Sequence, residues 1–329
     1  AGTSTKDSIT LTWDAITLDA EKGYYDIAEY RVYQTAPTAI GLVATVTSGT
    51  TTTLTSLTPA GSDFTYQVKA YNIHGEATLA ATYTILLAGI PDTMAAPVLT
   101  QSGTAIVFTW TNPTDNGEAL TDINLLLYQE DTTVYTEYES LCNGTAVLNA
   151  AGNSCSIEMA DLTNDAGVAD FTVGNDITAK VTATNAKGTS TESAVSNALK
   201  AQSAPISTVT INTGTASSTA TTITIDWNHL TADADTGYSA ITSYTVGHNN
   251  GAGTDYTVVE QSVTAPTATA TFTGLTTGTE YTFVVTPVNV HDSGTASATF
   301  TYKAAEKPSQ PSAPVISQTT DSTAVTYTW

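Results

Sequence analysis

Four histidines and two cysteines carry most of the reactive chemistry that this sequence could offer. The histidines are His74, His229, His248 and His291; none stands in an H-E-x-x-H pattern, and no G-x-S-x-G occurs. No serine or cysteine has a recognised spacing to a histidine that would build a nucleophile and its base. We therefore expect no catalytic residue, no metal site and no cofactor, and we predict a protein that is not an enzyme.

His74 and His291 occupy the same position in two predicted hairpin tips, where the middle of the chain has Lys187. Hairpin tips expose their side chains to solvent by default. Simple exposure is therefore the leading interpretation of His74 and His291, and a role as interaction residues is the alternative.

Acidic residues recur in three loops that each follow a tryptophan. Calcium takes six to eight oxygen ligands from flexible loops, so these carboxylates could contribute to a site, but their number falls short. The sequence leaves open whether calcium binds to them. The residues are Asp19 and Glu21 in the first loop, Asp115, Asn116 and Glu118 in the second, and Asp233 and Asp235 in the third.

Cys142 and Cys155 are the only cysteines of the chain, and they lie close together in sequence. Two cysteines this close, in a threonine-rich acidic β protein, predict a disulfide and an oxidising compartment. The bridge would stabilise the segment that it closes by about 3 kcal/mol through loop entropy.

The cysteines lie within an acidic segment, Glu130–Asp170, that contains eight acidic residues and no lysine or arginine. Tyr135 and Tyr138 are its one near pair of aromatic residues and are candidates for an interaction loop. Asn143 begins the only N-x-S/T sequon of the chain and is a candidate glycosylation site. A recognition surface and a solvated, glycosylated loop region are both open interpretations of this segment.

A repeated stretch organises the chain around these residues. Its third copy begins with an alternation of polar and apolar residues, TITIDW, which has the period of a half-buried strand. The first copy has SITLTW and the second has AIVFTW, so Trp13, Trp110 and Trp227 mark three equivalent strands. Aligning these tryptophans on Tyr30, Leu126 and Tyr244 gives separations of 17, 16 and 17 residues. Such constancy indicates an internal repeat.

A second phrase follows each copy, and in the third it runs from Leu275 through Tyr281 to Asn289. The two phrases together resemble the fibronectin type III domain, with its strand-B tryptophan and its L-x-x-G-T-x-Y and A-x-N-x-x-G phrases. The resemblance implies an all-β fold of tandem fibronectin type III-like, Ig-like β-sandwiches. It also implies that a tyrosine-corner hydrogen bond is available in the third copy alone.

The resemblance divides the chain of 329 residues into three domains and a partial fourth. We expect domains at 1–92, 93–202 and 203–305, and a linker with the first strands of a fourth copy at 306–329. The first domain is expected to lack strand A, because only the short segment Ala1–Lys6 is available before its strand B. The second is expected to carry the acidic insert.

Composition excludes several classes of partner. Thirty-one acidic residues face nine basic ones, for a net charge of −22, which disfavours nucleic acid because phosphates require lysine and arginine. No apolar run is long enough to span a bilayer, so direct membrane insertion is not expected. With the predicted disulfide, these features favour an extracellular or cell-surface location.

The leading functional hypothesis is a non-enzymatic structural module of a long extracellular protein, rod-like or filament-forming through end-to-end stacking. Its partners would be itself or covalently adjacent repeats, with glycans as a further partner. One alternative is an adhesion or receptor ectodomain that binds a ligand through the F–G loops and the insert. Another is an accessory array of a secreted hydrolase.

The sequon predicts a glycan on Asn143 in native material, because an exposed acidic insert of a secreted protein would be accessible to the transferase. Intact-peptide mass spectrometry should find the peptide that contains Asn143 heavier by sugar units. An unmodified peptide would leave the sequon as a chance occurrence.

Overall fold

The computed structural model describes most of the chain and divides it into two compact units. The units are Ala1–Ala201 and Gln202–Trp329. The described residues are 2–129, 134–137, 142, 153–163, 171–257, 259–313, 315–318 and 325–328.

The first sandwich is built from two antiparallel sheets. One has the strand order β1–β2–β5, and the other has the order β4–β3–β6, with β7 and β8 both paired with β6. The strands are β1 (Gly2–Ser4), β2 (Ile9–Thr12), β3 (Glu29–Ala36), β4 (Gly41–Val46), β5 (Thr51–Leu54), β6 (Asp63–Asn72), β7 (Gly75–Glu76) and β8 (Ala81–Leu86).

The expectation that the first domain lacks strand A is wrong. Gly2–Ser4 pairs antiparallel with β2, with Gly2 opposite Leu11 and Ser4 opposite Ile9. A Cβ on Gly2 would lie 3.0 Å from the Thr10 carbonyl oxygen, so glycine allows this close approach. Three residues are enough to form this strand, because each of them pairs directly with a residue of β2, which is strand B of the sandwich.

The second sandwich follows the same plan. Its sheets have the orders β13–β10–β9 and β12–β11–β15–β16, and β14 pairs separately with β17. The elements are β9 (Val98–Ser102), β10 (Ala105–Thr109), β11 (Leu120–Gln129), β12 (Val134–Glu137), β13 (Ser154–Glu158), α1 (Met159–Thr163), β14 (Asp176–Ile177), β15 (Ala179–Asn185), β16 (Gly188–Thr189) and β17 (Leu199–Lys200).

The third sandwich lies in the second unit, with the sheets β18–β19–β22 and β21–β20–β23–β24. Its elements are β18 (Ser217–Ser218), β19 (Thr222–Asp226), α2 (Asp233–Thr236), β20 (Ser243–His248), β21 (Val259–Thr264), β22 (Thr269–Thr273), β23 (Glu280–Val288) and β24 (Phe300–Lys303). Beyond it, β25 (Val315–Gln318) and β26 (Val325–Thr328) pair antiparallel with each other. Whether these two strands begin a fourth copy stays a prediction, as do the domain boundaries.

Each sandwich has its own cluster of buried apolar residues between its two sheets. In the first, Ile9 and Leu11 of β2 meet Val32 of β3 and Tyr66 of β6. Burial alternates along β3 and β23, as expected for strands that turn one face to the core. The all-β prediction is therefore confirmed.

A tryptophan–tyrosine pair closes one end of the core in the first and third sandwiches. The ring centroids of Trp13 and Tyr30 lie 5.6 Å apart edge to face, and those of Trp227 and Tyr244 lie 5.3 Å apart. Each tyrosine hydroxyl accepts a hydrogen bond from a backbone N–H three residues after the tryptophan. The Ile16 N–H binds Tyr30 at 3.0 Å, and the Leu230 N–H binds Tyr244 at 3.2 Å. The pair thus fixes the start of the B–C loop, the connection that joins β2 to β3 in the first sandwich, β10 to β11 in the second and β19 to β20 in the third.

The second sandwich departs from this arrangement. Strand F of the three sandwiches is β6, β15 and β23. On β6 and β23 the residues opposite Tyr30 and Tyr244 lie two positions before an asparagine, and by this register the equivalent residue of the second sandwich is Ile123, opposite Ala183. The alignment of Leu126 with the two tyrosines is therefore wrong. Ile123 follows Trp110 by only 13 residues, so this B–C connection is four residues shorter. Isoleucine has no hydroxyl, and no tyrosine anchor is made at this position.

Threonines on the solvent faces pair across strands. In the first sandwich the hydroxyls of Thr10 and Thr53 lie 2.8 Å apart, and those of Thr65 and Thr84 lie 2.9 Å apart. The third sandwich repeats both pairs at the same distances with Thr224 and Thr271, and with Thr282 and Thr301. Such pairs stabilise a sheet without charge, which explains how a chain with 12% charged residues covers its faces.

The segment after β16 runs along strand F without a regular ladder. Ser190, Ser193 and Ser196 each donate their N–H to a carbonyl of strand F, and each hydroxyl accepts from a backbone N–H of that strand. The three hydroxyls then donate to the carbonyl of the following residue. Ser297 makes the same contacts with Val285 in the third sandwich. The serines satisfy the strand-F groups and leave no regular strand at this edge for another chain to extend.

His248 is buried in the third core among aromatic rings. Its centroid lies 4.8 Å from that of Phe272, 5.3 Å from that of Tyr281 and 5.5 Å from that of Phe283. Its Nδ1 accepts from the Asn250 N–H at 3.0 Å, which requires the neutral ring. Burial lowers the pKa of His248 below its ordinary value of 6.5.

The third sandwich should therefore lose stability in mild acid. When the pH falls below the pKa of His248 in the unfolded chain, the unfolded chain binds a proton that the folded chain does not. The free energy of unfolding is therefore highest above about pH 6.5 and decreases as the pH drops below that value. Calorimetric unfolding of the whole chain at pH 5.0 and 7.5 should show one transition that moves down in acid. His248→Phe should remove this shift and the control His74→Asn should retain it; a shift that survives in His248→Phe would contradict the assignment.

Candidate functional site

The segment that joins the first two sandwiches is held by side chains of the second. Residues 88–97 form this linker, and the Gly89 N–H donates to the Asn116 carbonyl at 3.0 Å. The Asn116 amide donates to the Ile90 carbonyl at 2.7 Å and to the Asp92 carboxylate at 3.0 Å. The linker is therefore bonded at Gly89, Ile90 and Asp92 to the B–C loop that follows it.

Asp92 adds an ionic contact across the joint. The hydrogen bond from Asn116, reinforced by the Lys6 ammonium 3.6 Å away, lowers the pKa of the Asp92 carboxyl. Lys6 belongs to the first sandwich, so the pair ties it to the linker. Both side chains are about half exposed, so the pair itself stabilises the joint only slightly.

Asn185, at the end of strand F, makes the central contact of the joint. Its amide nitrogen donates to the carbonyl of Gly89 in the linker at 2.9 Å and to those of Asp115 and Glu118 in the B–C loop at 2.9 and 3.3 Å. Its oxygen accepts from the Lys187 N–H of the F–G turn at 2.9 Å. The residue is 4% exposed. One buried amide therefore connects linker, B–C loop and F–G turn, and we call this arrangement the asparagine clasp.

The second unit contains the same asparagine clasp. Asn289 donates to the Ser203 carbonyl at 2.7 Å and to the Thr236 carbonyl of the B–C loop at 2.9 Å. Its oxygen accepts from the His291 N–H at 2.9 Å. The segment that enters the third sandwich is therefore held in the same way as the linker that enters the second sandwich.

In the B–C loops of the second and third sandwiches, a glycine lets main-chain atoms from earlier in the chain approach closely. A Cβ on Gly117 would overlap with the nitrogen of Gly61 in the first sandwich and lie 2.8 Å from the Leu87 carbonyl oxygen. A Cβ on Gly237 would overlap with the Ala204 carbonyl oxygen and lie 2.5 Å from that of Ser203. Both glycines have positive φ, 88° and 69°. We call these two positions the glycine seats.

The two predicted hairpin-tip histidines differ in their surroundings. His74 is exposed and contacts Tyr25 edge to face, with centroids 4.4 Å apart. His291 is partly buried, and its Nε2 lies 2.9 Å from the Gln202 side-chain oxygen. The F–G tip of the third sandwich is thus engaged by the incoming segment.

His74 stands two residues before Glu76, an H-x-E sequence that can mark a zinc or general-base site. The Glu76 carboxylate accepts from the Lys69 ammonium at 3.3 Å and from the Tyr33 hydroxyl. In the part of the chain that the structure describes, no three His, Cys, Asp or Glu side chains come together in a group that could hold a metal. The carboxylates of the B–C loops make local bonds, such as Asp235 with the Ser207 hydroxyl at 2.6 Å.

Tyr135 packs against Tyr128, with centroids 5.4 Å apart, and its hydroxyl lies 3.0 Å from that of Thr178. The Lys180 ammonium stands 4.4 Å from the Tyr135 ring centre. Tyr138 and Asn143 lie outside the described residues. Cys142 and Cys155 form a disulfide with Cα atoms 5.9 Å apart, a separation typical of such bridges.

The tyrosine-corner hydrogen bond is present where it was predicted. The Thr276 N–H donates to the Tyr281 hydroxyl at 2.8 Å. The equivalent positions in the other sandwiches hold Phe64 and Ile177, which have no hydroxyl.

Sequence reasoning missed the roles of the clasp asparagines. Asn72, Asn185 and Asn289 were visible as landmarks of the A-x-N-x-x-G phrase, but the phrase does not show which carbonyls they bind. The adjacent residues Asn116 and Gly117 were equally recognisable as a turn sequence. Only the structure shows that main-chain atoms of the first sandwich lie against Gly117.

Comparison with known proteins agrees with this architecture. The family model of the fibronectin type III domain matches residues 207–302. The chain therefore contains a fibronectin type III domain, formed by the third sandwich. No curated protein matches the sequence.

Among solved structures, the crystal structure of chicken CNTN1 FN1-FN3 domains aligns with the chain at 14% identity and a TM-score of 0.34. The alignment covers 92% of this chain and 96% of that one. At this TM-score the likeness adds nothing to the assignment, which stands on the strand pairing and the family match.

Gly117→Ala should open or destabilise the joint, and Gly103→Ala is its matched control. Both glycines have positive φ, 88° and 61°, but a Cβ on Gly103 would meet nothing within 4 Å. The control should cost about 1 kcal/mol in unfolding free energy through backbone strain alone. Gly117→Ala should cost about 1–3 kcal/mol more through overpacking, or should speed proteolysis between residues 88 and 97. Equal stability and equal cleavage of both variants would contradict the glycine seat.

Proposed function

We propose that this chain is a non-enzymatic structural module of a long extracellular or cell-surface protein, in which sandwiches are joined end to end by stiff joints. The observation that carries the proposal is the asparagine clasp. Asn185 and Asn289 bind the incoming segment in the same way, at a linker carbonyl and at a B–C loop carbonyl.

A clasp of this kind opposes free rotation about the joint. Bending the linker away would leave the Gly89 carbonyl without this donor, and an unpaired buried group costs about 1–3 kcal/mol, while Asn185 would keep its bonds to the B–C loop and the F–G turn. The linker of residues 88–97 is also too short and too fully bonded to behave as a flexible coil. A chain of clasped sandwiches would therefore act as a stiff spacer.

An extracellular or cell-surface location is supported by the disulfide, because such bridges persist in oxidising compartments. In the described part of the chain no helix is both long and apolar enough to cross a membrane. Filament formation by end-to-end stacking belongs to the same proposal, and the high negative charge would make it dependent on salt.

An adhesion or receptor role is the second candidate, and one observation favours it. Tyr128 and Tyr135 form an aromatic pair beside Lys180 at the edge of the acidic insert, a combination that could hold a ligand ring or a glycan. The F–G tips give it less support, since His291 is engaged by Gln202. No observation favours an accessory role in a secreted hydrolase.

Asn185→Ala should loosen the first joint without unfolding either sandwich. Spin labels at Ser48→Cys and Ser102→Cys, on exposed positions of the first and second sandwiches, would report the distance between them. The distance distribution should be narrow in the parent and should broaden in Asn185→Ala. The matched control is Asn72→Ala, which removes the equivalent bonds to a B–C loop and an F–G turn but none to this linker. A broad parent distribution, or an unchanged one in Asn185→Ala, would count against a stiff spacer.

A further inference from the structure

A cleft on the second sandwich has the size and the lining of a small-ligand site. It lies where β11 ends and β15 begins, at the edge of the acidic insert, and its volume is about 550 Å³. Sites for small molecules have volumes of about 300–1,000 Å³ and combine aromatic or apolar walls with a few polar groups. The side chains that line this cleft all belong to described residues of the second sandwich, so it is built within one sandwich.

Two tyrosines form one wall of the cleft. Tyr128 of β11 and Tyr135 of β12 are directly opposite each other in the ladder, and their ring centroids lie 5.4 Å apart. The Tyr135 hydroxyl lies 3.0 Å from that of Thr178, and the Lys180 ammonium stands 4.4 Å from the Tyr135 ring centre. Val195, which is 46% exposed, adds an aliphatic surface. Contacts to both the ring and the hydroxyl hold Tyr135 in place, so a ligand does not have to order this side chain on binding.

The polar groups of the cleft are balanced in charge. Among the described residues, Asp176 and Lys200 are the two charged side chains that line it, and they pair with each other at 3.0 Å. These side chains are 57% and 49% exposed, so the pair stabilises the fold only slightly and can open to other partners. Beside the cleft, Lys180 is paired with Glu192 at 2.9 Å. The cleft therefore offers donors and acceptors without a net charge that would select an ion.

The other two sandwiches have no aromatic residue at the position of Tyr128. Tyr128 stands five residues after Ile123, which occupies the repeated tyrosine position in the second sandwich. The corresponding residues of the first and third sandwiches are Thr35 and Asn249. The aromatic wall is therefore a feature of the second sandwich and not part of the repeated plan.

We propose that this cleft binds a neutral sugar residue of a glycan. A hexose has an apolar face of C–H groups, which would pack on Tyr135 and Val195, and a rim of hydroxyl groups. These hydroxyls would donate to the Asp176 carboxylate and accept from the Lys200 ammonium. An aromatic side chain of a peptide would leave those polar groups without partners, and a charged ligand would have to break their pair. This sugar site rests on the adhesion role, the second candidate function, and gives that role a ligand class.

Saturation-transfer difference NMR of the full chain tests the sugar site. The probes are the methyl glycosides of glucose, galactose, mannose and N-acetylglucosamine, with N-acetyltyrosinamide as an aromatic alternative. The protein is produced without glycosylation, so that no glycan of its own on Asn143 competes. At least one glycoside should receive saturation, mostly at the protons of one ring face, with a Kd of about 1 mM because a monosaccharide makes few contacts.

Variants of the wall and the rim locate the binding. Tyr135→Ala should weaken binding of that glycoside about tenfold or more, because it removes the ring on which the sugar packs. Tyr135→Phe keeps the ring and should bind within about threefold of the parent. Val195→Glu should also weaken binding about tenfold, and it changes a side chain that is already 46% exposed, so the sandwich stays folded. The matched control is Tyr83→Ala, which removes a 41% exposed tyrosine from the first sandwich and should bind as the parent does.

The sugar site would be overturned if no glycoside receives saturation, if N-acetyltyrosinamide alone does, or if Tyr135→Ala and Val195→Glu bind as the parent does. An immobilised glycan array separates this site from the adhesion role. Array binding that survives in both variants would retain adhesion and overturn the cleft, whereas a parent that binds neither array nor glycoside would overturn both. The spin-label distances between Ser48→Cys and Ser102→Cys test the stiff joint separately, since they require no ligand.

Discussion

In the second and third sandwiches, a side-chain amide at the end of strand F binds the segment that enters the sandwich. The amide has two donors and an acceptor, and Asn185 uses all of them on main-chain groups of three different segments. Because Asn185 is 4% exposed, water cannot replace a lost partner. The linker, the B–C loop and the F–G turn of the second sandwich are therefore held together by this one side chain.

The close approach that the clasp requires is possible only with glycine. Gly117 brings the backbone of the B–C loop against Gly61 and Leu87 of the preceding sandwich, where any side chain would overlap. Its φ of 88° is also one that L-residues adopt with strain. Packing and backbone conformation thus impose the same residue at this position.

Many polar side chains on the rest of the surface form hydrogen bonds with one another or with the main chain of their own sandwich. Threonine pairs such as Thr10–Thr53 and Thr224–Thr271 bond across strands instead of reaching out to partners. Ser193 and Ser297 bond to main-chain groups of strand F at positions where no regular strand pairs with it, and so satisfy those groups within the sandwich. Large apolar side chains are also exposed on this surface, and Leu79, Tyr24 and Ile73 are the most exposed of those in the described residues.

The sequence by itself determined the elements and much of the core. Alternation placed β2, β10 and β19 within a residue of their observed ends, and the repeated tryptophans located the aromatic pairs of the first and third sandwiches. These features are local: a strand buries every second residue whatever lies beyond it, so its period is written in the chain. The disulfide was equally predictable, since both of its residues are cysteines and the chain has no others.

Only the tertiary structure decided the register and the joint. Ile123 rather than Leu126 takes the tyrosine position because a loop four residues shorter shifts the alignment, and loop length leaves no periodic signal. Gly2–Ser4 forms a strand that is too short for any pattern to reveal. The clasp asparagines bind main-chain carbonyls, and carbonyls are the same in every residue. The sequence therefore shows the asparagine but not its partners, and it is the fold that brings the linker to within 2.9 Å of Asn185.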